Sequence, residues 1–202
     1  MSTWALDLDG VLWRGDVPIP GAADAVGRLR AGGTRVVFLT NNAGATVAEH
    51  LAKLGGMGVP ADPDDLLTSA QAAATLLTPG TTALPCAGAG VREALAAAGI
   101  RTVEEGPADA VVVGWHRTFD YDGLARAADA VRAGARLIGT NEDATYPTPD
   151  GLLPGAGALL AAVATASGAV PEVAGKPHPP MLRLIGERLG RVDVVVGDRP
   201  ST

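Results

Sequence analysis

Three short apolar runs, each stopped at its carboxyl end by polar or acidic residues, most constrain how this chain can fold: WALDLDG at 4–10, RVVFLTNN at 35–42 and VDVVVGD at 192–198. Continuous apolar runs of this length, bounded by turn residues, suit strands covered on both faces, as in a parallel sheet. Trp4 to Leu8 reads as a strand that turns at Asp9-Gly10. Arg35 to Leu39 reads as a second with Thr40 and Asn41 at its exit, and Val192 to Val196 as another that ends at Gly197-Asp198. Open α/β sheets bind ligands at the carboxyl ends of their strands, so Asp7, Thr40 and Asp198 are expected along one edge.

The rest of the chain keeps the strand and helix rhythm. Val11 to Pro20, with Gly15, Pro18 and Pro20, predicts a small extended flap before a helix from about Gly21 to Leu29. Helix from Thr46 to Leu54, a short strand at 66–68 and helix from Ala70 to Leu77 lead to the Pro79-Gly80 breaker, where a domain junction is expected. A second block follows: extended at 82–86, helical at 91–98, extended at 110–113, helical at 124–131 and extended at 136–139. Its exit, TNEDATYPTPDGLLPGAG, is expected as a connection before an Ala-rich helix at about 156–166. Residues 172–180, EVAGKPHPP, are expected as a loop before a helix that runs through Leu189. The organisation predicted is a core at 1–79, an inserted α/β cap at 80–147 and a returning core at 148–202.

Composition narrows the partners. Of 202 residues 47% are hydrophobic and 19% charged, which excludes a disordered chain. A net charge of −6 provides no broad positive field, so neither nucleic acid nor an anionic membrane is an expected partner. Cys86 is the single cysteine and cannot form an intrachain disulfide. The start MSTWALDLDG lacks a basic, apolar leader and no run is long enough for a confident membrane helix, so cytoplasmic residence is the default expectation.

Asp7 and Asp9 would repel if both were charged on one strand face, a cost that a divalent cation offsets. A division of labour then suggests itself, with Asp7 as nucleophile and Asp9 as proton donor and acceptor. A bare DxDG equally describes an acidic turn, and TNN at 40–42 equally describes a capped one. Thr40 and Asn41 offer hydroxyl and backbone donors for a phosphoryl group. Lys176, between Gly175 and Pro177, can hold an ammonium against transferred oxygens, and Asp198 can complete a magnesium site. In the second block His116 and Arg117 are candidates for substrate contact. His178 is expected to stabilise its loop or face solvent, and His50 to face solvent from its helix.

Taken together, LDLDGVLWRG (6–15), VFLTNN (37–42), LLPGAG (152–157), AGKPHP (174–179) and VVVGDRPST (194–202) resemble the haloacid dehalogenase superfamily. The likeness is to its phosphatases with a large α/β cap, the group of nitrophenyl-phosphate, phosphoglycolate and glycerol-phosphate phosphatases. The resemblance implies a Rossmann-like three-layer core with a mostly parallel sheet, and a further core segment after Asp198 that the sequence given does not contain. It implies Asp7 as nucleophile, Asp9 as acid and base, Thr40 and Asn41 as phosphate binders and Lys176 as positioning cation. Mg2+ would be held by Asp7, Asp198 and the backbone carbonyl of Asp9. A small phosphorylated metabolite is the implied substrate, glycerol 3-phosphate or 2-phosphoglycolate first, with the cap deciding among them. A homodimer is left open beside a monomer. Phosphoryl transfer to a second substrate, as in a mutase, and an inactive phosphate-binding module are the competing readings.

Overall fold

The computed structural model describes residues 2–148 and 151–198; Arg199 to Thr202, the end of the last motif above, lie outside them. In chain order the first part runs β1 (Thr3–Asp7), the hairpin of β2 (Trp13–Arg14) and β3 (Val17–Pro18), α1 (Ala22–Ala31), β4 (Arg35–Thr40), α2 (Val47–Gly56), β5 (Leu66–Thr68) and α3 (Ser69–Ala74). There follow β6 (Thr82–Cys86), α4 (Ala89–Ala97), β7 (Arg101–Thr102), β8 (Ala110–Val113), α5 (Tyr121–Arg132), β9 (Arg136–Gly139), β10 (Thr145–Thr148), β11 (Gly151–Pro154), α6 (Ala156–Ser167), β12 (Glu172–Val173), α7 (Pro179–Leu189) and β13 (Val194–Val196). Among the described residues no helix is long and apolar enough to cross a membrane.

Two parallel sheets organise these elements. The first has the order β13-β1-β4-β5, with Ala5 opposite Val37 on one side and Val195 on the other. The second has the order β12-β9-β8-β6-β7. Alternation along the strands sorts their side chains between two faces. Leu6, Val36, Phe38 and Leu66 face one way, onto Val26 of α1 and Leu54 of α2. Ala5, Val37, Leu39 and Leu67 face the other way, into a cluster with the alanines of α3, Val91 and Leu95 of α4, and Met181 and Leu184 of α7. The same cluster contains Ala83, Ala110, Val112 and Ile138 from the second sheet, so α3, α4 and α7 form a middle layer that both sheets share. The far face of the second sheet, with Leu84, Val111, Val113 and Leu137, packs on α5 and α6 through Val131, Leu160 and Val163.

Local chemistry sets the helix starts. Thr46 and Glu49 cap α2 reciprocally, as Thr68 and Gln71 cap α3, and Asp120 accepts the Gly123 N–H at the start of α5. The flap expected at 11–20 is the β2-β3 hairpin, pairing Trp13 with Pro18. Three features depart from expectation. The connection after β9 contains a hairpin, with Thr145 opposite Pro154. Residues 172–180, expected as a loop, begin with β12, whose Glu172 and Val173 pair with Ile138 and Gly139. Helix α6 packs on the second sheet, so residues 156–173, which the sequence places in the returning core, stay with the second sheet.

The two sheets also meet backbone to backbone. The Gly90 N–H donates to the Gly44 carbonyl at 3.2 Å, and Glu93 of α4 accepts the Val47 N–H at the start of α2 at 2.8 Å. A Cβ on Gly90 would sit on the Ala45 carbonyl oxygen and 2.8 Å from that of Ala43. Helix propensity favours alanine over glycine by about 1 kcal/mol, but main-chain carbonyls cannot step aside as a side chain would. Gly90→Ala is therefore expected to destabilise the protein by about 1–3 kcal/mol, read as a lower urea midpoint; a midpoint equal to or above that of the parent would show that the contact is slack.

Candidate active site

Because both sheets are parallel and share one helical layer, the carboxyl ends of β1, β4, β8, β9, β12 and β13 look into one cavity of about 630 Å³. Asp7 is the last residue of β1. Its Oδ1 accepts the Leu8 N–H at 2.8 Å and pairs with the Lys176 ammonium at 2.8 Å, and the residue lines the cavity. After Leu8 the chain turns sharply: Leu12 N–H returns to the Leu8 carbonyl, and Gly10 takes φ 84°, a left-handed conformation that glycine adopts freely. The turn swings Asp9 out of the strand line, and its Oδ1 accepts Trp13 Nε1 at 2.9 Å. Burial raises the Asp9 pKa, opposed by the Trp13 hydrogen bond and the Lys53 charge and assisted by the Asp7 charge.

Thr40 ends β4 with 1% of its surface exposed, and its Oγ1 accepts the Asn42 N–H at 3.0 Å, so the hydroxyl proton remains to be donated into the cavity. Asn41 lines the cavity too, but its side chain is engaged: Oδ1 accepts the Lys176 N–H at 2.8 Å and Nδ2 donates to the Lys176 carbonyl at 3.1 Å. Any donation to a phosphoryl group from residue 41 therefore falls to its main chain. Lys176 is held at both ends, since its Nζ also donates to the Leu39 carbonyl at 3.2 Å. Asp198 lines the same cavity, its carboxylate lying against the Gly10 α-carbon, where a Cβ would collide with it.

The donor set is informative about metals. Among the described residues no three His, Cys, Asp or Glu side chains converge as a metal cluster. Four aspartates line the cavity, Asp7, Asp9, Asp143 and Asp198, and of these Asp198 lies against Gly10 of the turn that follows Asp7. Few, hard oxygen donors suit magnesium, which keeps several waters and needs only one or two carboxylates from a protein.

The loops after the second sheet's strands contribute Trp115 after β8 and Asn141 and Asp143 after β9, and the hairpin contributes Tyr146 of β10. Trp115 and Tyr146 stand with ring centroids 5.5 Å apart, and Trp115 Nε1 donates to the Pro154 carbonyl at 3.2 Å, tying ring and hairpin together. His116 and Arg117, the candidates expected here, do not line the cavity. The His116 ring lies edge-on to Phe119 and bonds Thr118 at 3.2 Å. Of this loop, Trp115 is the residue that lines the cavity. Asn141 and Asp143 lie in a stretch expected as a connection. Their signal in the sequence is that RLIG runs into Thr140-Asn141 as VVFL runs into Thr40-Asn41.

Two histidines complete the picture. His178 bonds Glu142 at 3.0 Å at the start of α7, a loop-stabilising contact. His50, expected to face solvent, is 4% exposed and its Nε2 bonds the Asn42 carbonyl at 3.1 Å, because it lies on the α2 face turned toward the 41–45 loop. Helical period, not polarity, decided its side.

The fold and this arrangement of strand ends define the class: the chain belongs to the haloacid dehalogenase-like hydrolases, whose family model matches residues 4–101. A D-glycerol 3-phosphate phosphatase of Mycobacterium tuberculosis is 42% identical over 98% of this chain, and an acid sugar phosphatase of Staphylococcus saprophyticus is 36% identical over 98%. The matches cover 57% and 79% of those relatives. The crystal structure of the glycerol phosphate phosphatase from Mycobacterium tuberculosis in complex with magnesium superposes on the whole chain with a TM-score of 0.92 at 39% identity, covering 62% of that structure. A p-nitrophenyl phosphatase from Archaeoglobus fulgidus superposes on 96% of the chain with a TM-score of 0.87 at 29% identity, covering 76% of that structure. The chain thus spans a little over half the length of the mycobacterial relative.

Burial lowers the His50 pKa, opposed by its bond to the Asn42 carbonyl and by Asp9. With the folded pKa below the unfolded one, the unfolded chain binds more protons below about pH 6.5, so stability falls as pH drops through that value. His50→Gln keeps an N–H donor but does not titrate. The fall in urea midpoint between pH 7.5 and 5.5 is expected to be smaller in this variant than in the parent, and an equal fall would show that His50 is not buried neutral.

Proposed function

We propose that this chain carries the active site of a magnesium-dependent phosphatase that hydrolyses a small-metabolite phosphomonoester through a phosphoryl group on Asp7. The observation that carries the reading is the Lys176–Asp7 pair at 2.8 Å inside a cavity that Asp9, Thr40 and Asp198 also line. An ammonium at that point lowers the repulsion between an attacking carboxylate and an anionic phosphoryl group.

In the first half-reaction Asp7 Oδ2 attacks phosphorus, the bond from phosphorus to the substrate oxygen breaks, and Asp9 gives that oxygen its proton. In the second, water attacks the same phosphorus, Asp9 takes the water's proton, and the bond to Asp7 breaks to release inorganic phosphate. Thr40 donates its hydroxyl proton, and the main chain at Asn41 an N–H, to the phosphoryl oxygens. Lys176 stays beside them throughout. Asp7 and Asp198, with the Asp9 carbonyl, would hold magnesium, which supplies positive charge against the phosphoryl oxygens.

The substrate class follows from the cavity and the relatives. Those relatives are named for glycerol 3-phosphate, acid sugar and p-nitrophenyl phosphate substrates, so one phosphate end serves several leaving groups. Discrimination belongs to the walls from the second sheet, and we read that sheet as a cap entered near residue 80 and left near residue 174. Glycerol 3-phosphate is the first substrate to try, because the mycobacterial relative is similar over nearly the whole chain; 2-phosphoglycolate is next.

Asp7→Asn keeps the volume and removes the nucleophile. Turnover with magnesium is expected to fall by on the order of 10³-fold or more with the melting transition retained, and the parent should release phosphate containing one oxygen from labelled water. Hydrolysis by the variant within tenfold of the parent, or phosphate without solvent oxygen, would sink the proposal.

A further inference from the structure

We propose that Asn141, which arrives from the second sheet, is a positioning residue for Lys176, acting through the main chain of Asn41. Asn141 follows β9, is 5% exposed, and its Nδ2 donates to the Asn41 carbonyl at 2.7 Å. The amide's orientation is fixed by its neighbours, since Oδ1 must accept the Asp143 N–H at 3.0 Å while the Asn41 oxygen can only accept. Ser69 Oγ, at the start of α3, donates to the same carbonyl at 2.8 Å, so both of its lone pairs are used, one by α3 and one by the loop after β9.

Two donors on one carbonyl fix the plane of the 41–42 peptide. That plane aims the Asn42 N–H at Thr40 Oγ1 and sets the direction in which the Asn41 side chain leaves the backbone. The Asn41 side chain then grips Lys176 by both its main-chain N–H and its carbonyl, 135 positions away in sequence. The lysine's own contacts are with Asp7 and the Leu39 carbonyl. A continuous series of hydrogen bonds therefore runs from β9 through Asn41 to the ammonium beside the nucleophile. The same Asn41 carbonyl would be satisfied by Ser69 alone if only burial mattered, so the second donor is surplus to solvation and serves orientation.

The inference rests on the functional reading only for why the lysine must be held, and its test has a readout independent of turnover. In Asn141→Ala, amide exchange followed by NMR is expected to speed up about tenfold or more at the Lys176 N–H while the amides of β4 and β8 keep their parent rates. Binding of inorganic phosphate with magnesium, by calorimetry, is expected to weaken about tenfold, the factor that one net hydrogen bond sets. Introduced into Asn41→Ala, where the grip on the lysine is already lost, the same change is expected to cost less than twofold. Should alanine disturb the strand amides, Asn141→Ser, too short to reach residue 41, is read in the same way. A Lys176 exchange rate within twofold of the parent, or full additivity with Asn41→Ala, overturns the proposal. A parent chain that binds no phosphate and hydrolyses no phosphomonoester sinks the functional reading instead, and the exchange rates still decide this one.

Discussion

Everything at the site depends on an apolar layer that two parallel sheets hold in common. Ala5, Val37 and Leu39 press on it from one side, Ala83, Val112 and Ile138 from the other, and the alanines of α3 with Val91 and Met181 fill the space between. Small side chains matter here. A layer rich in alanine lets two sheets approach one set of helices closely, and apolar burial at about 25 cal/mol per Å² makes separating them costly. With the sheets locked in this way, the carboxyl ends of their strands have one cleft to share, and polar groups from residues 7 to 198 meet there without any local sequence relation.

The site concentrates acidic groups and manages them by environment. Asp7 keeps a lysine partner and a backbone donor, whereas Asp9 sits in a turn whose burial raises its pKa against the opposing hydrogen bond from the Trp13 indole N–H. Two carboxyl groups two residues apart are thus given different surroundings. The turn at Gly10 is the structural means, because it removes Asp9 from the strand and lets Asp198 lie against the vacated backbone.

Much of this was legible in the residues. The strands at 110–113 and 136–139 stand where their apolar runs place them, and Asp7, Thr40 and Asp198 meet at one edge because parallel strands share a direction. Short elements were illegible. Strand β12 has two residues and exists only because β9 offers an edge, and the Pro-rich stretch after β9 hides a hairpin that depends on its cross-strand partner. Asn41 shows the deeper limit: its motif suggests a phosphate ligand, but the direction of its side chain is set by Lys176, a contact that no sequence window spans. His116 and Arg117 were attractive for their charge and polarity, while the cavity is walled by the neighbouring Trp115.

The contact between the 43–45 loop and the turn at 88–90 bears on how closely the chain packs beside the cavity. There the backbone of Gly88 and Gly90 stands so close to residues 43–45 that a Cβ on either glycine would collide with main chain, and the Glu93 side chain reaches the Val47 N–H beside it. Rotation of helix over loop would have to break that seam close to Asn42 in the cavity wall. Gly88 and Gly90 thus act as spacers of zero width, since any side chain at either position would wedge the helix start away from the loop.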